Sequence, residues 1–88
     1  MQTTCMTREQ IYAEINAERK RQAKKWNKLH AWGRGDCSSH EVAPIVKSAV
    51  LQEECGEVAK AVLELDNDAL KQELVQVAAV AVAWLESL

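Results

Sequence analysis

The stretch from Leu74 to Leu85, "LVQVAAVAVAWL", holds a single polar residue, Gln76, and is apolar almost all round the helix it predicts. At about 12 residues it falls well short of the roughly 20 that a membrane span needs, so it reads as a buried helix. Such a helix must be covered on every side, and two other helices from a chain of 88 residues can hardly do that. The sequence therefore predicts a second subunit against it, in an all-α helical bundle that is a homodimer or a homotetramer. No membrane partner is expected.

The rest of the chain supplies those other helices within one domain, residues 1–88. Apolar residues make up 48% of it and charged residues 27%, and three Gly and one Pro leave few helix breakers. Thr7 followed by Gln10 predicts a capping box that opens a first helix over about 7–28. Ile11, Ile15, Ala23 and Trp26 give it a modest apolar stripe, and "ERKRQAKK" (18–25) is its solvated or ligand-facing side. "LHAWGRGDCSSH" (29–40) gathers glycines and short polar residues and reads as a loop, with Ser38 or Ser39 as cap of the next helix. That second helix is expected over about 41–65, with Pro44 in or near its first turn. "DND" (66–68) reverses the chain, Asp66 or Asn67 is a candidate cap, and a third helix fills about 68–87.

Charge is divided unevenly along the chain. Residues 1–34 carry eight Lys/Arg against three Glu, and residues 35–88 three Lys against ten Asp/Glu, so the net −2 conceals +5 and −7. A basic arm attracts phosphate and an acidic half suits a divalent cation, which together fit a metal–phosphate ligand. The acidic C-terminal part argues against nucleic acid as the partner. Cys5, Cys37 and Cys55 are odd in number and follow no charged-then-apolar leader, so reduced thiols and a cytoplasmic location are expected. Cys37-x-x-His40, with His30 near, has zinc-like spacing but no second pair, and Cys55 reads as a small packing residue.

Residues 51–62, "LQEECGEVAKAV", place Glu53, Glu54 and Glu57 beside residues that need burial. Glu54 and Glu57, three apart, project to one side of a helix, in line with Val50, Val58 and Ala61. Glu53 points about 100° away, toward the rim. Like charges beside an apolar surface repel and lose hydration unless a cation sits between them. Glu73 and Gln76 repeat the spacing on the third helix, and an antiparallel hairpin turning near residue 66 could bring the two pairs together. Oxygen ligands on facing helices suit Mg²⁺ or Mn²⁺. The other reading of the carboxylates is a solvated helix face.

"EECGEVAKAV" followed by "QELVQVAAVAVAWLE" resembles the MazG-like, all-α nucleoside triphosphate pyrophosphohydrolase superfamily, marked by Glu-x-x-Glu on one helix and Glu-x-x-Asp on the next. The resemblance spans about residues 51–86, and "AERKRQAKKW" (17–26) is similar to the leading helix of small phage-type and mobile-element members. It implies metal ligation by Glu54, Glu57 and Glu73, with Gln76 where the family has Asp. An amide oxygen still coordinates Mg²⁺ but brings no charge, and Glu53 is the acid placed to compensate. The other role open to Gln76 is a core amide that fixes subunit register.

The resemblance implies cleavage of a (d)NTP between its α and β phosphates, giving (d)NMP and pyrophosphate, in nucleotide-pool housecleaning. Glu53 or Glu54 would then orient or deprotonate the attacking water. Lys60, Arg21, Lys24 and Lys25, with Arg19 beside them, are the candidates for holding phosphates. Trp26, His30 and Trp32 are those for the base, although structural packing is the commoner use of Trp. Trp84 reads as core or interface. The competing expectation is a MazG-like module that binds nucleotide or a protein partner without turnover.

Overall fold

The computed structural model describes residues 5–88. Three helices, α1 (Arg8–Lys25), α2 (Pro44–Leu63) and α3 (Asn67–Glu86), carry the fold. Two short strands, β1 (Leu29–His30) and β2 (Gly33–Arg34), pair between α1 and α2. Both α1 and α2 pack on α3, and among the described residues they do not pack on each other. The last helix is thus the shared spine of the molecule. No helix among the described residues is long and apolar enough to cross a membrane.

Local chemistry explains where each helix begins. Thr7 caps α1 in a full capping box: its hydroxyl accepts from the Gln10 N–H, and the Gln10 side chain accepts from the Thr7 N–H at 2.8 Å. Asp66 caps α3 by accepting from the Ala69 N–H. For α2 neither Ser38 nor Ser39 serves as cap; Ala43 stands there without a side-chain bond, and Pro44 opens the helix. The serines are used inside the loop. Ser38 donates its N–H and hydroxyl to Asp36, and Ser39 accepts from the Glu41 N–H. Pro44 needs no partner for a missing N–H, so the start tolerates an uncapped residue before it.

Two ends differ from the periodicity. Helix α1 stops at Lys25, because the carbonyl of its C-cap residue Trp26 accepts from the Lys28 N–H and from the His30 ring instead of from a further turn. The segment read as a loop also holds the hairpin, with Leu29 opposite Arg34 and His30 opposite Gly33. Gly33, at φ 122°, lets β2 pass the Glu41 backbone, whose carbonyl oxygen would lie 2.7 Å from any added Cβ. Two residues per strand are too few to leave an alternating pattern in a sequence.

The core is small. Among the described residues its buried apolar members are Cys37, Val42, Ala61, Ala79, Val80 and Ala83, and no large side chain is fully buried. Val50 and Leu51 pack against Cys37, Val80 and Ala83, so the loop after the hairpin covers one end of the α2/α3 groove. Polar ties close the periphery. Arg19, itself buried, binds Asp36 in the loop and Glu86 at the end of α3, both at 2.8 Å. The buried Lys47 donates to Ser87 Oγ, which donates to the Trp84 carbonyl. The apolar stripe expected on α1 is thin: Ile15 is half-buried, whereas Ile11 and Ala23 are exposed.

Candidate functional site

A line of side chains on α1 faces the other elements: Glu18, Gln22 and Trp26, four residues apart and each half-buried. Gln22 and Trp26 form one wall of a cleft of about 430 Å³, which the hairpin tip closes with Trp32. Val46, Val50 and Val80 give it an apolar floor, and Glu53 and Glu54 of α2 stand along it. Glu53 is exposed, as its rim position on the helix requires, and Glu54 is half-buried.

The aromatic end is built by the hairpin. His30 and Trp32 stack with ring centres 4.8 Å apart and planes 6° from parallel, and Trp26 stands 5.2 Å from His30 and 6.4 Å from Trp32. His30 Nε2 lies 3.2 Å from the Trp26 carbonyl, which can only accept, so the proton is on Nε2. That bond fixes the ring on which Trp32 stacks. Lys25 Nζ lies 5.1 Å from the Trp26 ring centre and brings a cation to this wall.

The acidic end is lined by Glu53 and Glu54, and the charge of Glu73 on α3, outside the lining, acts on Glu54. Glu54 and Glu73 each bury Oε2 with no hydrogen-bond partner among the described residues. Burial lifts the Glu54 carboxyl above its ordinary value, and the charges of Glu73, Glu53, Glu57 and Glu18 add to the rise. An orphaned buried carboxylate oxygen on each of two packed helices is a hard donor pair, which fits Mg²⁺ or Mn²⁺. The other two expected ligands have different surroundings. Glu57 is exposed. Gln76 is half-buried and lines a different cleft, between α1 and α3, with Glu14, Glu18 and Arg21. Among the described residues no three His, Cys, Asp or Glu side chains are grouped as a metal would need. For an ion held by Glu54 and Glu73, the remaining ligands would have to come from water and substrate.

The expected phosphate cations are dispersed. Arg21 is engaged by Glu18 at 2.7 Å. Arg19 is engaged by Asp36 and Glu86 and serves as a structural clamp. Lys24, Lys25 and Lys60 are exposed. No Lys or Arg lines the Trp26/Trp32 cleft. Cys37 is buried while His40 is exposed, and burial first, then the Asp36 charge, pushes the Cys37 thiol up.

Three residues of this region had no motif of their own. Asp36 is held below its ordinary value: burial would raise it, but hydrogen bonds from Ser38 and Arg19 outweigh that. Gln22 and Glu18 lie within a run that reads as solvated. Their spacing of four, continued to Trp26, is the signal by which they could have been found. Compared with family models, with curated proteins and with solved structures, the chain matches none.

Proposed function

We propose that this chain is a divalent-metal-dependent nucleoside triphosphate pyrophosphohydrolase that converts (d)NTP to (d)NMP and pyrophosphate, and that it works as a homo-oligomer in the cytoplasm, cleaning the nucleotide pool. The observation that carries the reading is the orphaned buried oxygen of Glu54, which lines the Trp26/Trp32 cleft, with a second orphaned oxygen on Glu73, whose charge acts on Glu54. An acid-lined cleft without Lys or Arg repels a bare triphosphate, so it suits one that arrives with its cations.

Mg²⁺ or Mn²⁺, when bound, would neutralise phosphate charge and increase the acidity of water. Glu54 and Glu73 are the residues to hold it. Glu53, exposed on the same cleft, is free to take the proton of the water that attacks the α-phosphorus as the bond to the bridging oxygen breaks and pyrophosphate leaves. Trp26 and Trp32 offer ring faces to a base, with Gln22 between the aromatic and acidic ends. Lys25, Lys24 and Lys60 are exposed cations available to the phosphates.

The second reading, a helical module that binds nucleotide or a protein partner without turnover, is favoured by one observation: among the described residues no three His, Cys, Asp or Glu side chains are grouped as a metal would need. A panel of nucleoside triphosphates with Mg²⁺ or Mn²⁺, followed by pyrophosphate release, separates the two. Release that Glu54→Gln abolishes supports the enzyme. Nucleotide binding with no release from any substrate supports the module.

A further inference from the structure

We propose that two copies of this chain pair through α3 in antiparallel orientation, about a twofold axis passing between Ala79 and Val80. The inference rests on the subunit pairing proposed above and not on the nucleotide chemistry. Helix α3 is packed on two sides only. Ala79, Val80 and Ala83 are buried toward the rest of the chain, while Leu74 is 51% exposed, Val82 38% and Leu85 67%. Leu74, Ala78, Ala81 and Leu85 follow one another at intervals of four, three and four, which places them on one line along the helix. Val77 and Val82 flank that line, and none of the six is polar.

The spacing reads the same in both directions from a midpoint between residues 79 and 80. An isologous contact requires such self-complementarity, because each residue meets a partner at the mirrored position. Antiparallel pairing sets Leu74 of one copy against Leu85 of the other and Ala78 against Ala81. The two alanines at the centre allow close approach of the axes, and the leucines at the ends fill the space as the helices diverge. A parallel pair sets the same residue types against each other, with Leu74 on Leu74 and Leu85 on Leu85, so the register of the contact distinguishes the two.

The exposed area is large enough for a partner, and the self-complementary spacing makes a second copy the occupant. The chain exposes 6486 Å², whereas a compact monomer of 9.8 kDa exposes about 5,200 Å². The excess is roughly 1,300 Å², more than the roughly 800 Å² that each partner gives to a standard interface. The outward line on α2, through Ile45, Ala49, Gly56 and Leu63, is the other apolar surface, but Gln52 interrupts it.

Cross-linking tests the pairing in a chain whose exposed Cys5 and Cys55 are replaced by Ser. Leu74→Cys and Leu85→Cys chains, one carrying a size tag, are mixed and mildly oxidised. A mixed disulfide dimer is expected to dominate, since the two positions face each other, while two copies of residue 74 lie about 16 Å apart along the axes. Sedimentation should give the unmodified protein twice the 9.8 kDa chain mass. Ala81→Glu should return it to the chain mass with helicity retained, and Leu63→Glu should leave the dimer intact. A monomer at about 100 μM, far above the Kd of a stable interface, overturns the subunit pairing itself. A dimer that joins residue 74 to residue 74, or that Leu63→Glu dissociates and Ala81→Glu does not, overturns this geometry alone.

Discussion

Glu54 of α2 and Glu73 of α3 each bury an Oε2 without a partner among the described residues, and the Glu73 charge adds to burial in raising the Glu54 carboxyl. Two packed helices thus meet through a repulsion that the chain does not itself neutralise. A fold with so few buried apolar residues has little stability to set against it. The arrangement makes sense as a cation site, and it has measurable consequences for the protein alone.

Replacing Glu54 by Gln should stabilise the metal-free protein at pH 7 by on the order of 1 kcal/mol, the scale of one buried unsatisfied polar group. The sign follows from linkage. Glu54 has a raised value when folded, so its contribution is fully present below its ordinary 4.5 and is lost as pH rises through the folded value. The gain from Glu54→Gln should therefore shrink to nothing on acidification to about pH 4, below the ordinary carboxylate range. Urea midpoints across pH measure it; a variant less stable than wild type at pH 7 would contradict it.

Mg²⁺ or Mn²⁺ should raise the melting temperature of the wild type. At about a hundredfold excess over Kd the stabilisation is about 2.7 kcal/mol, or upwards of 10 °C for a domain of this size. Glu54→Gln combined with Glu73→Gln should abolish the shift. Thermal melts with and without cation, read by circular dichroism, decide it, and an undiminished shift in the double variant would place the cation elsewhere.

Arg19→Ala should destabilise by about 3 kcal/mol, because it leaves Asp36, whose side chain is 8% exposed, as a buried charge without its cation. Asp36 also gives the loop an acid limit. Its folded value is depressed, so its contribution is present above the ordinary carboxylate value and is lost as pH falls through the folded one. Trp26 and Trp32 fluorescence should report hairpin release in Arg19→Ala, and at strongly acid pH in the wild type.

Leu65 is the residue after the C-cap of α2 and has φ 55°, a conformation that costs an L side chain. The Asp66 N–H bonds to the Ala61 carbonyl and the Leu65 N–H to the Val62 carbonyl, the Schellman arrangement in which Gly usually stands here. Leu65 is 89% exposed and loses little packing if replaced. Leu65→Gly should thus raise stability by about 1 kcal/mol. An unchanged or lower urea midpoint would show that the strain is taken up elsewhere.

Much of the architecture was legible in the chain because it rests on local chemistry. Thr7 with Gln10 marks the start of α1, and Asp66 caps α3, since a cap needs only residues a few positions apart. The burial of Glu54 among carboxylates was open to inference from its place on an apolar helix face beside Glu53 and Glu57. Ser38 and Ser39 misled, because their hydrogen bonds go to Asp36 and from Glu41 inside a loop whose path the hairpin sets. Arg19 read as one more candidate cation for phosphates. Its role depends on Asp36, 17 residues away, and Glu86, 67 away, and no local pattern encodes such distances.

By itself the sequence determined three helices, the caps of α1 and α3, and the apolar spine from Leu74 to Leu85, because periodicity and capping act between near neighbours. The tertiary structure decided which side chains are buried. It buried one Oε2 of Glu54 and one of Glu73, left Glu57 exposed and set Gln76 in the cleft between α1 and α3, because α1 and α2 occupy different sides of α3 and residues three apart on a helix can face different neighbours.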